Sequence, residues 1–400
     1  MLLQNKLKGN LRIYPYLEVF RSLIFYVPVW VAFELRYITF SQLTLLESII
    51  LGSQLLLELP TGALADLIGR RLSMFIGYLF KSVSLFIYAF ASAFPQFLLS
   101  CILIGAGEAL ISGAQEAILY DNLKELDQEK DFSKVTSKLS LIFQCGLSAA
   151  TLIGGIMNNI YFRLPMIAYG IALFISAIIC LFLTEPSLDT EKFTARSYIS
   201  KAKRGFKELF KNNYIKRVSW FYILVGFITW TNMVVFMTTF LVELGYSEFE
   251  LGVVLSAIRI FNSLILFKIL SVDRLFDRRK TYLFFPIILI ISFLPGIVLT
   301  KWLALPFIAG SMIASTARWV ILGKYTNEEF SSENRATAIS ALSMLIGIFY
   351  VITVAISGPI IDYFGGVKYV YSLLGVLSAI LVLPLGLNLA NAQTTTSNKD

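Results

Sequence analysis

Long runs of uncharged, apolar residues alternate along this 400-residue sequence with short segments rich in lysine and arginine. The runs at 283–300 and 336–361 approach or exceed the roughly 20 apolar residues that a helix needs to cross a bilayer. Only 15% of the residues are charged and 57% are hydrophobic, whereas a soluble domain carries about 25% charged residues. The pattern excludes an ordinary soluble enzyme and predicts an all-α membrane protein that crosses the bilayer many times.

Breaks at charges and turn residues predict about twelve transmembrane helices in two sets of six. The longest hydrophilic stretch separates the sets. The predicted domains are an N-terminal six-helix bundle (1–184), a basic cytoplasmic linker (185–216), a C-terminal six-helix bundle (217–390) and a cytoplasmic tail (391–400). The predicted spans are 13–36, 41–61, 72–92, 95–118, 138–157, 162–184, 217–242, 250–271, 281–300, 302–323, 338–361 and 368–390.

The basic residues lie mainly in the loops on one side of the predicted membrane. Loops on the side of the two termini carry 25 of the 34 lysines and arginines, and the opposite loops carry only four. Because positively charged loops stay in the cytoplasm, both termini are expected there, in a bacterial-type inner (plasma) membrane. The linker predicts either a basic amphipathic helix on the anionic inner leaflet or a solvated connection between two bundles.

The sequence contains no histidine and only three cysteines. The absence of histidine excludes His-based acid–base catalysis, Ser/His/Asp triads and imidazole metal sites. Cys101, Cys145 and Cys180 are far apart in apolar runs and form no Cys-x-x-Cys pair. No phosphate-binding loop for ATP occurs either. We therefore predict no enzyme, no catalytic residue, no metal site and no cofactor.

Two pairs of similar segments indicate an internal duplication. Gly154-Gly155 in the fifth predicted span matches Gly358-Pro359 in the eleventh, at an offset close to 204 residues. The segment 119–122, at the end of the fourth span, similarly matches 324–327 at the end of the tenth. Repeated halves are typical of transporters that rock around a central binding site.

A glycine-rich, charged segment, Gly62-Ala63-Leu64-Ala65-Asp66-Leu67-Ile68-Gly69-Arg70-Arg71, joins the second and third predicted spans. It resembles the signature loop of the major facilitator superfamily, Gly-x-x-x-Asp-(Arg/Lys)-x-Gly-(Arg/Lys)-(Arg/Lys), and departs from it at Leu67. The preceding segment 58–61 is similar to what bacterial drug exporters of that family carry. The resemblance implies twelve spans in two halves and transport by alternating access.

The charged and glycine residues of this loop predict a gate. Gly62 and Gly69 permit a tight turn and close helix approach. Asp66 can accept hydrogen bonds or pair with an arginine, while Arg70 and Arg71 can anchor to carbonyls, lipid phosphates or Asp66. These residues form either a charge-assisted latch on the cytoplasmic side or only a topology signal. The second-half loop, 273–280, has Phe276 in place of the second glycine.

Ionisable residues inside the predicted spans are costly and are therefore candidates for function. The resemblance implies that the first and fourth spans of each half line the cavity. Glu108 is the leading candidate for proton coupling, with an ion pair to Arg21 or Arg318, or direct substrate contact, as alternatives. The candidate transport and proton-coupling residues are Glu18, Arg21, Glu108, Asn232, Arg259 and Arg318.

The sequence as a whole predicts a secondary active transporter, namely a proton-coupled exporter of lipophilic small molecules. One alternative is a proton symporter that imports an organic anion, with Arg21, Arg259 and Arg318 supplying the counter-charge. Another alternative is a non-transporting receptor or scaffold on the same fold. The expected partners are the small-molecule substrate, protons and membrane lipids but no nucleic acid, and the expected state is a monomer.

Overall fold

The computed structural model of the protein describes residues 2–186, 195–270 and 277–397. Within these ranges it describes every side chain except those of residues 2–6, 59, 63, 66, 195–198, 263, 265–270 and 393–397. The described chain is 87% helical and contains no strand. Ten of its helices are long and apolar enough to cross a membrane. The predicted all-α fold is therefore confirmed.

The first half of the chain forms seven α-helices. They are α1 (Leu2–Ser22), α2 (Trp30–Glu34), α3 (Phe40–Ile68), α4 (Arg70–Phe90), α5 (Phe94–Glu125), α6 (Phe132–Ile160) and α7 (Leu164–Leu181). A short 3₁₀ turn, Glu129–Asp131, precedes α6.

The second half begins with the linker helix and continues with nine further α-helices. They are α8 (Ala195–Leu209), α9 (Asn213–Thr231), α10 (Met237–Glu243), α11 (Glu248–Leu270), α12 (Arg278–Phe293), α13 (Ala304–Ala317), α14 (Gly323–Glu328), α15 (Arg335–Phe364), α16 (Val367–Leu377) and α17 (Leu383–Ser397). Single π-helical turns join α9 to α10 (Asn232–Phe236), α13 to α14 (Arg318–Leu322) and α16 to α17 (Ser378–Val382). A 3₁₀ turn, Leu294–Val298, follows α12.

The first predicted span, 13–36, is not one continuous helix. Helix α1 ends at Ser22, and the helical conformation resumes only in the short helix α2 at Trp30. Pro28 lies in the break, where it lacks an amide hydrogen and disfavours a helical conformation at Val27. The ten apolar helices of the described residues contain ten of the twelve predicted spans, all except the first and the eighth.

The chain divides into two compact units. The first comprises Met1–Ile38, Ile49–Ala195 and Glu248–Ser256, and the second comprises Thr39–Ser48, Arg196–Ser247 and Ala257–Asp400. Each unit therefore includes a short helical segment contributed by the other half of the sequence. These segments are the N-terminal parts of α3 and α11.

Small residues and serine hydroxyls bring the helices of the first unit together. A Cβ atom placed on Gly107 of α5 would lie 2.7 Å from the carbonyl oxygen of Gly77 in α4. Ser73 Oγ donates to the carbonyl of Leu110 at 2.9 Å, so the same two helices are also joined by a hydrogen bond. Close backbone approach of this kind is how helices associate in a bilayer, where apolar burial supplies little driving force.

The helices of the second unit are likewise joined by glycines and hydroxyl hydrogen bonds, and in addition by aromatic stacking. A Cβ atom on Gly375 would lie 2.3 Å from the amide nitrogen of Leu294. Phe240 stacks on Tyr371 with ring centroids 4.3 Å apart. The N-terminal part of α3 joins this unit through Ser41, whose amide and hydroxyl both donate to the Asp362 carboxylate.

The linker helix α8 packs against the start of α15. A Cβ atom on Gly205 would lie 2.3 Å from the carbonyl oxygen of Thr337. The buried Glu208 carboxylate accepts hydrogen bonds from Lys211 Nζ and from the amide of Ser331. Four basic residues of the helix lie on its outer surface and are exposed, namely Lys201, Lys203, Arg204 and Lys207.

Glu208 gives the protein a pH-dependent contribution to stability. Burial raises the pKa of its carboxyl, but the hydrogen bonds from Lys211 and Ser331 outweigh burial and hold that pKa below the ordinary value. A lowered carboxyl pKa stabilises the fold above the unfolded-state pKa of about 4.3, and this contribution is lost as the pH falls through the folded-state pKa. Glu208→Gln should therefore lower the melting temperature at pH 7, and the difference from the parent should shrink below about pH 4.

The measurement is a series of thermal melts of the purified protein between neutral and acidic pH. Glu333→Gln is the matched control, because Glu333 is exposed in the loop between α14 and α15. A melting-temperature difference that stayed constant across the pH range would contradict the assignment.

Gly154 is the position in the first unit where a side chain is least tolerated. A Cβ atom there would lie 1.8 Å from the carbonyl oxygen of Phe25, which is backbone and cannot rotate away. Gly154→Ala should therefore destabilise the fold by about 1–3 kcal/mol, because α6 must move away from the backbone at Phe25. Gly113→Ala is the control, since Gly113 has no heavy atom within 4 Å of the same position. Equal melting temperatures of the two purified variants would refute this packing.

Candidate functional site

A polar chain of contacts runs through the interior of the first unit. Glu18 and Arg21, one turn apart in α1, form an ion pair at 2.6 Å, and the Glu18 side chain is only 2% exposed. Gln115 of α5 donates from Nε2 to the other Glu18 oxygen at 3.0 Å. Tyr78 of α4 in turn donates to Gln115 Oε1 at 2.9 Å. Glu18 is therefore held by donors from two helices and shielded from solvent.

Glu108 pairs with Lys81, which is not the partner expected from the sequence. The Lys81 ammonium of α4 donates to Glu108 Oε1 of α5, whereas Arg21 and Arg318 were the predicted alternatives. The physical reason is the close approach of α4 and α5, because a Cβ atom on Gly107 would lie 2.6 Å from Lys81 Cγ. The lysine was visible in the sequence as an intramembrane charge, but no pattern placed it opposite Glu108.

Two cavities adjoin these charges within the first unit. The larger, about 350 Å³, is lined by Glu18, Arg21, Glu108, Gln115 and Glu116 among others. The smaller, about 150 Å³, is lined by aromatic side chains together with Arg21, Lys81 and Glu108. Arg21 and Glu108 thus border both spaces.

The charges around the two cavities do not balance. Glu18, Glu108 and Glu116 face two cations, Arg21 and Lys81, so the full set carries one excess negative charge when all are ionised. Arg21 also lies over the Phe143 ring, with its guanidinium carbon 4.6 Å from the ring centre. The arrangement can accept a proton or a cation without an external counter-ion.

The second unit has a polar seam of its own, between α9 and α13. Asn232 donates from Nδ2 to Ser311 Oγ at 3.1 Å, and Ser315 Oγ lies 3.6 Å from the sulfur of Met233. Arg318 is 2% exposed and begins the π-helical turn that follows α13. Asn232 begins the corresponding π-helical turn after α9.

Arg259, the remaining predicted transport residue, is half-buried in α11. Asn262, three residues further along, is buried, and neither of its amide atoms has a hydrogen-bond partner among the described residues. Their three-residue spacing puts both residues on one face of this helix. Their role in transport remains a prediction.

The signature loop is shorter than its sequence indicated, because Gly62 and Asp66 lie inside α3 and only Gly69 separates α3 from α4. Gly69 has φ +90°, in the region that glycine adopts without strain. Glu185 closes the N-terminus of α4, since its carboxylate accepts from the amides of Arg70 at 2.7 Å and Arg71 at 3.0 Å. An anion at a helix N-terminus satisfies free amides and complements the helix dipole.

The two arginines of the loop are anchored within the first unit. Arg70 forms an ion pair with Asp121 at the end of α5, and Arg71 donates to the carbonyl of Leu183 at 3.3 Å. The Asp66 side chain lies outside the described residues, so its predicted latch role stays a prediction. Sequence reasoning missed Asp121 and Glu185, although Asp121 belongs to one of the duplicated segments.

The second unit repeats the arginine–carboxylate pair. Arg278, at the start of α12, contacts Glu329 and also Glu328, the latter at 2.8 Å. Arg278 and Glu329 both follow their first-unit counterparts, Arg70 and Asp121, by 208 residues. The repeated contact supports an internal duplication.

Asp121→Asn should destabilise the protein by about 2 kcal/mol, because it removes a charge-assisted hydrogen bond to Arg70 at a site where Asp121 is only 4% exposed. Thermal melts of the purified protein measure the effect, and Arg70→Gln in the same background should add little. Asp127→Asn is the control, since Asp127 is exposed and its φ of 56° suits asparagine equally well. Additive losses for the Arg70 and Asp121 substitutions would contradict a direct pair.

Ten apolar helices of membrane-spanning length, in two compact units, define a multi-pass membrane protein. A family model described as Major Facilitator Superfamily matches residues 19–313. The chain therefore belongs to the major facilitator superfamily.

Curated relatives match only part of the chain. Multidrug resistance protein 1 of Bacillus subtilis is 28% identical over 163 residues, which is 40% of each chain. The quinolone resistance protein NorA of Staphylococcus aureus is 29% identical over 145 residues, or 36% of each chain. The matched region thus spans well under half the length of these relatives.

Solved structures match the fold over nearly the whole chain. The nucleoside transporter NupG superimposes with a TM-score of 0.71 at 17% identity, covering 96% of this chain and 98% of that one. A bacterial homologue of the human lysosomal transporter Spinster gives 0.64 at 17% identity, covering 97% and 95% respectively. At this level of identity the likeness establishes the fold alone.

Proposed function

We propose that the protein is a proton-coupled secondary transporter that exports lipophilic small molecules across the plasma membrane by alternating access. Both termini lie in the cytoplasm in this proposal, as the distribution of basic residues indicates. The observation that carries the proposal is the pair of cavities bordered by Glu108 and Arg21 in the first unit. An ionisable group facing a cavity inside a membrane protein is a candidate for ion or substrate coupling.

Glu108 is better suited than Glu18 to exchange a proton during transport. Glu18 is 2% exposed and accepts from both Arg21 and Gln115, so its ionised form is fully satisfied. Glu108 is 35% exposed and has the Lys81 ammonium as its recorded partner. Protonation of Glu108 would release Lys81 and leave a cation without its carboxylate, which couples proton binding to a rearrangement of α4 against α5.

The walls of the cavities support a lipophilic cargo. Tyr26, Tyr78, Phe143 and Tyr169 border the smaller space, and Tyr14 borders the larger one. Aromatic surface with a few convergent polar groups is typical of sites that bind lipophilic small molecules. The two curated relatives, which are named for multidrug and quinolone resistance, favour export as the direction.

The second candidate function is proton-coupled import of an organic anion. It is favoured by Arg318, a buried cation of the second unit for which no ion pair is recorded among the described residues. The structural likeness to a nucleoside transporter gives no preference between directions, because the identity is too low.

Glu108→Gln should reduce flux driven by a pH gradient at least about tenfold, because the amide cannot exchange a proton. Substrate exchange without a gradient should persist, since the cavity keeps its shape. The measurement is a flux assay in proteoliposomes with a panel of lipophilic fluorescent compounds and a pH dye in the lumen. The sign of the luminal pH change on adding substrate distinguishes export from import.

Glu129→Gln is the control for this experiment, because Glu129 is exposed in the turn after α5. Unchanged gradient-driven flux in the Glu108 variant would exclude Glu108 as the proton carrier. Equal loss of gradient-driven flux and exchange would instead assign Glu108 to structure or substrate contact.

A further inference from the structure

Arg318 is the largest of the fully buried side chains, with 2% of its surface exposed. Its Nε and Nη1 groups have no hydrogen-bond partner among the described residues. Carboxylates neutralise the cations Arg21, Arg70, Lys81 and Arg278, whereas no carboxylate contacts the Arg318 guanidinium in the described part of the chain. The contrast with Arg21 and Lys81 identifies Arg318 as an unneutralised charge.

The surroundings of Arg318 are aromatic. The guanidinium carbon lies 4.1 Å from the centre of the Trp319 ring and 5.5 Å from that of Tyr222, whose hydroxyl also interacts with the arginine. Gly226 of α9 allows this approach, because a Cβ atom there would lie 3.3 Å from Nη1. Aromatic faces offset part of the positive charge but do not accept hydrogen bonds from the free in-plane N–H groups.

A buried guanidinium without an anion is unfavourable, since desolvation of the charge is not compensated. Structural arginines avoid this penalty by pairing, as Arg70 and Arg278 do here. The unpartnered N–H groups of Arg318 can therefore donate to a hydrogen-bond acceptor on a ligand that binds and dissociates. A negatively charged group is the acceptor that compensates the charge most completely.

Asn232, on the facing helix, presents a second open polar group. Ser311 donates its hydroxyl hydrogen to the carbonyl of Ile308 at 2.8 Å, so it must accept from Asn232 Nδ2. This network fixes the orientation of the amide and leaves Asn232 Oδ1 as a buried acceptor without a partner among the described residues. Both residues begin π-helical turns, which are frequent at functional sites.

The Arg318 guanidinium and the Asn232 carbonyl oxygen lie at different heights along the polar seam between α9 and α13. Ser311, the partner of Asn232, precedes Arg318 by seven residues, which corresponds to about 10 Å along a helix. The seam thus offers a cation at one level and a hydrogen-bond acceptor roughly 10 Å away. This spacing suits an elongated molecule with an acid at one end.

We propose that Arg318 is the anion-binding group of a cargo subsite in the second unit, and that the cargo is a lipophilic molecule carrying a carboxylate. The proposal rests on the proposed transport function and narrows its substrate class. An anionic lipid headgroup has the same recognition chemistry, so the experiment includes a separate arm for it.

The test compares two probes that differ only in charge, pyrenebutanoate and its neutral amide, pyrenebutanamide. Binding to the purified full-length protein in neutral detergent is followed by energy transfer from tryptophan, with empty micelles as the blank. The parent should bind the carboxylate at least about tenfold more tightly than the amide, as expected for a charge-assisted contact in a buried site. In Arg318→Met this ratio should fall to about one, while Arg318→Lys should keep part of it.

A thermal melt without probe distinguishes a binding role from a structural one. Arg318→Met should melt at or above the temperature of the parent, because an apolar side chain replaces an uncompensated charge. Arg335→Met is the matched control, since Arg335 is an exposed cation of the same unit. It should retain the parent's preference for the carboxylate.

Three outcomes would overturn the proposal. The first is a parent without preference for the carboxylate, and the second is an Arg318→Met variant that keeps the preference or melts well below the parent. The third is loss of the preference on adding one equivalent of phosphatidylglycerol, which would assign the subsite to a lipid headgroup. Because no gradient is applied, a protein that discriminates the probes but moves no cargo would refute only the proposed function.

Discussion

The requirement that a charge in an apolar interior must find a counter-charge organises this protein. In the first unit it joins α1 to α5 through Glu18, Arg21 and Gln115, and α4 to α5 through Lys81 and Glu108. It also joins the beginning of α4 to the end of α5 through Arg70 and Asp121. The two ion pairs between α4 and α5 lie between helices that Gly77 and Gly107 already hold close, so electrostatics and packing specify the same neighbours there.

The two units meet this requirement for a counter-charge in different ways. We expect function at the sites where they differ. The first unit compensates its cations internally and keeps an excess carboxylate beside its cavities. The second unit buries Arg318 with donors left open. A site that must bind and release a charged group has to leave part of its own charge uncompensated, at a cost in stability. The proton coupling that we propose at Glu108 and the anion binding that we propose at Arg318 both depend on such uncompensated charge.

The fold was largely predictable from the sequence, whereas the ion-pair partners of the charged residues were not. Apolar length and charged breaks predicted twelve spans, of which ten correspond to apolar helices of the described residues, and α1 stops at Ser22 where Pro28 follows closely. Composition also marked Glu108 and Arg318 as unusual, because any intramembrane charge is conspicuous. The Lys81–Glu108 pair was not predictable, since it depends on how closely α4 approaches α5 at Gly77 and Gly107. Likewise, Arg70 selects Asp121, 51 residues away, only when the helices are assembled.

The sequence by itself determined that the chain is a helical, multi-pass membrane protein with a duplicated plan and a few costly charges. These properties follow from the composition and from the spacing of apolar and charged residues, which are local features of the chain. Only the tertiary structure decided which charges neutralise one another and which remain open. Pairing depends on distances of a few ångströms between side chains on different helices, and these distances are set by packing around small residues such as Gly107 and Gly226.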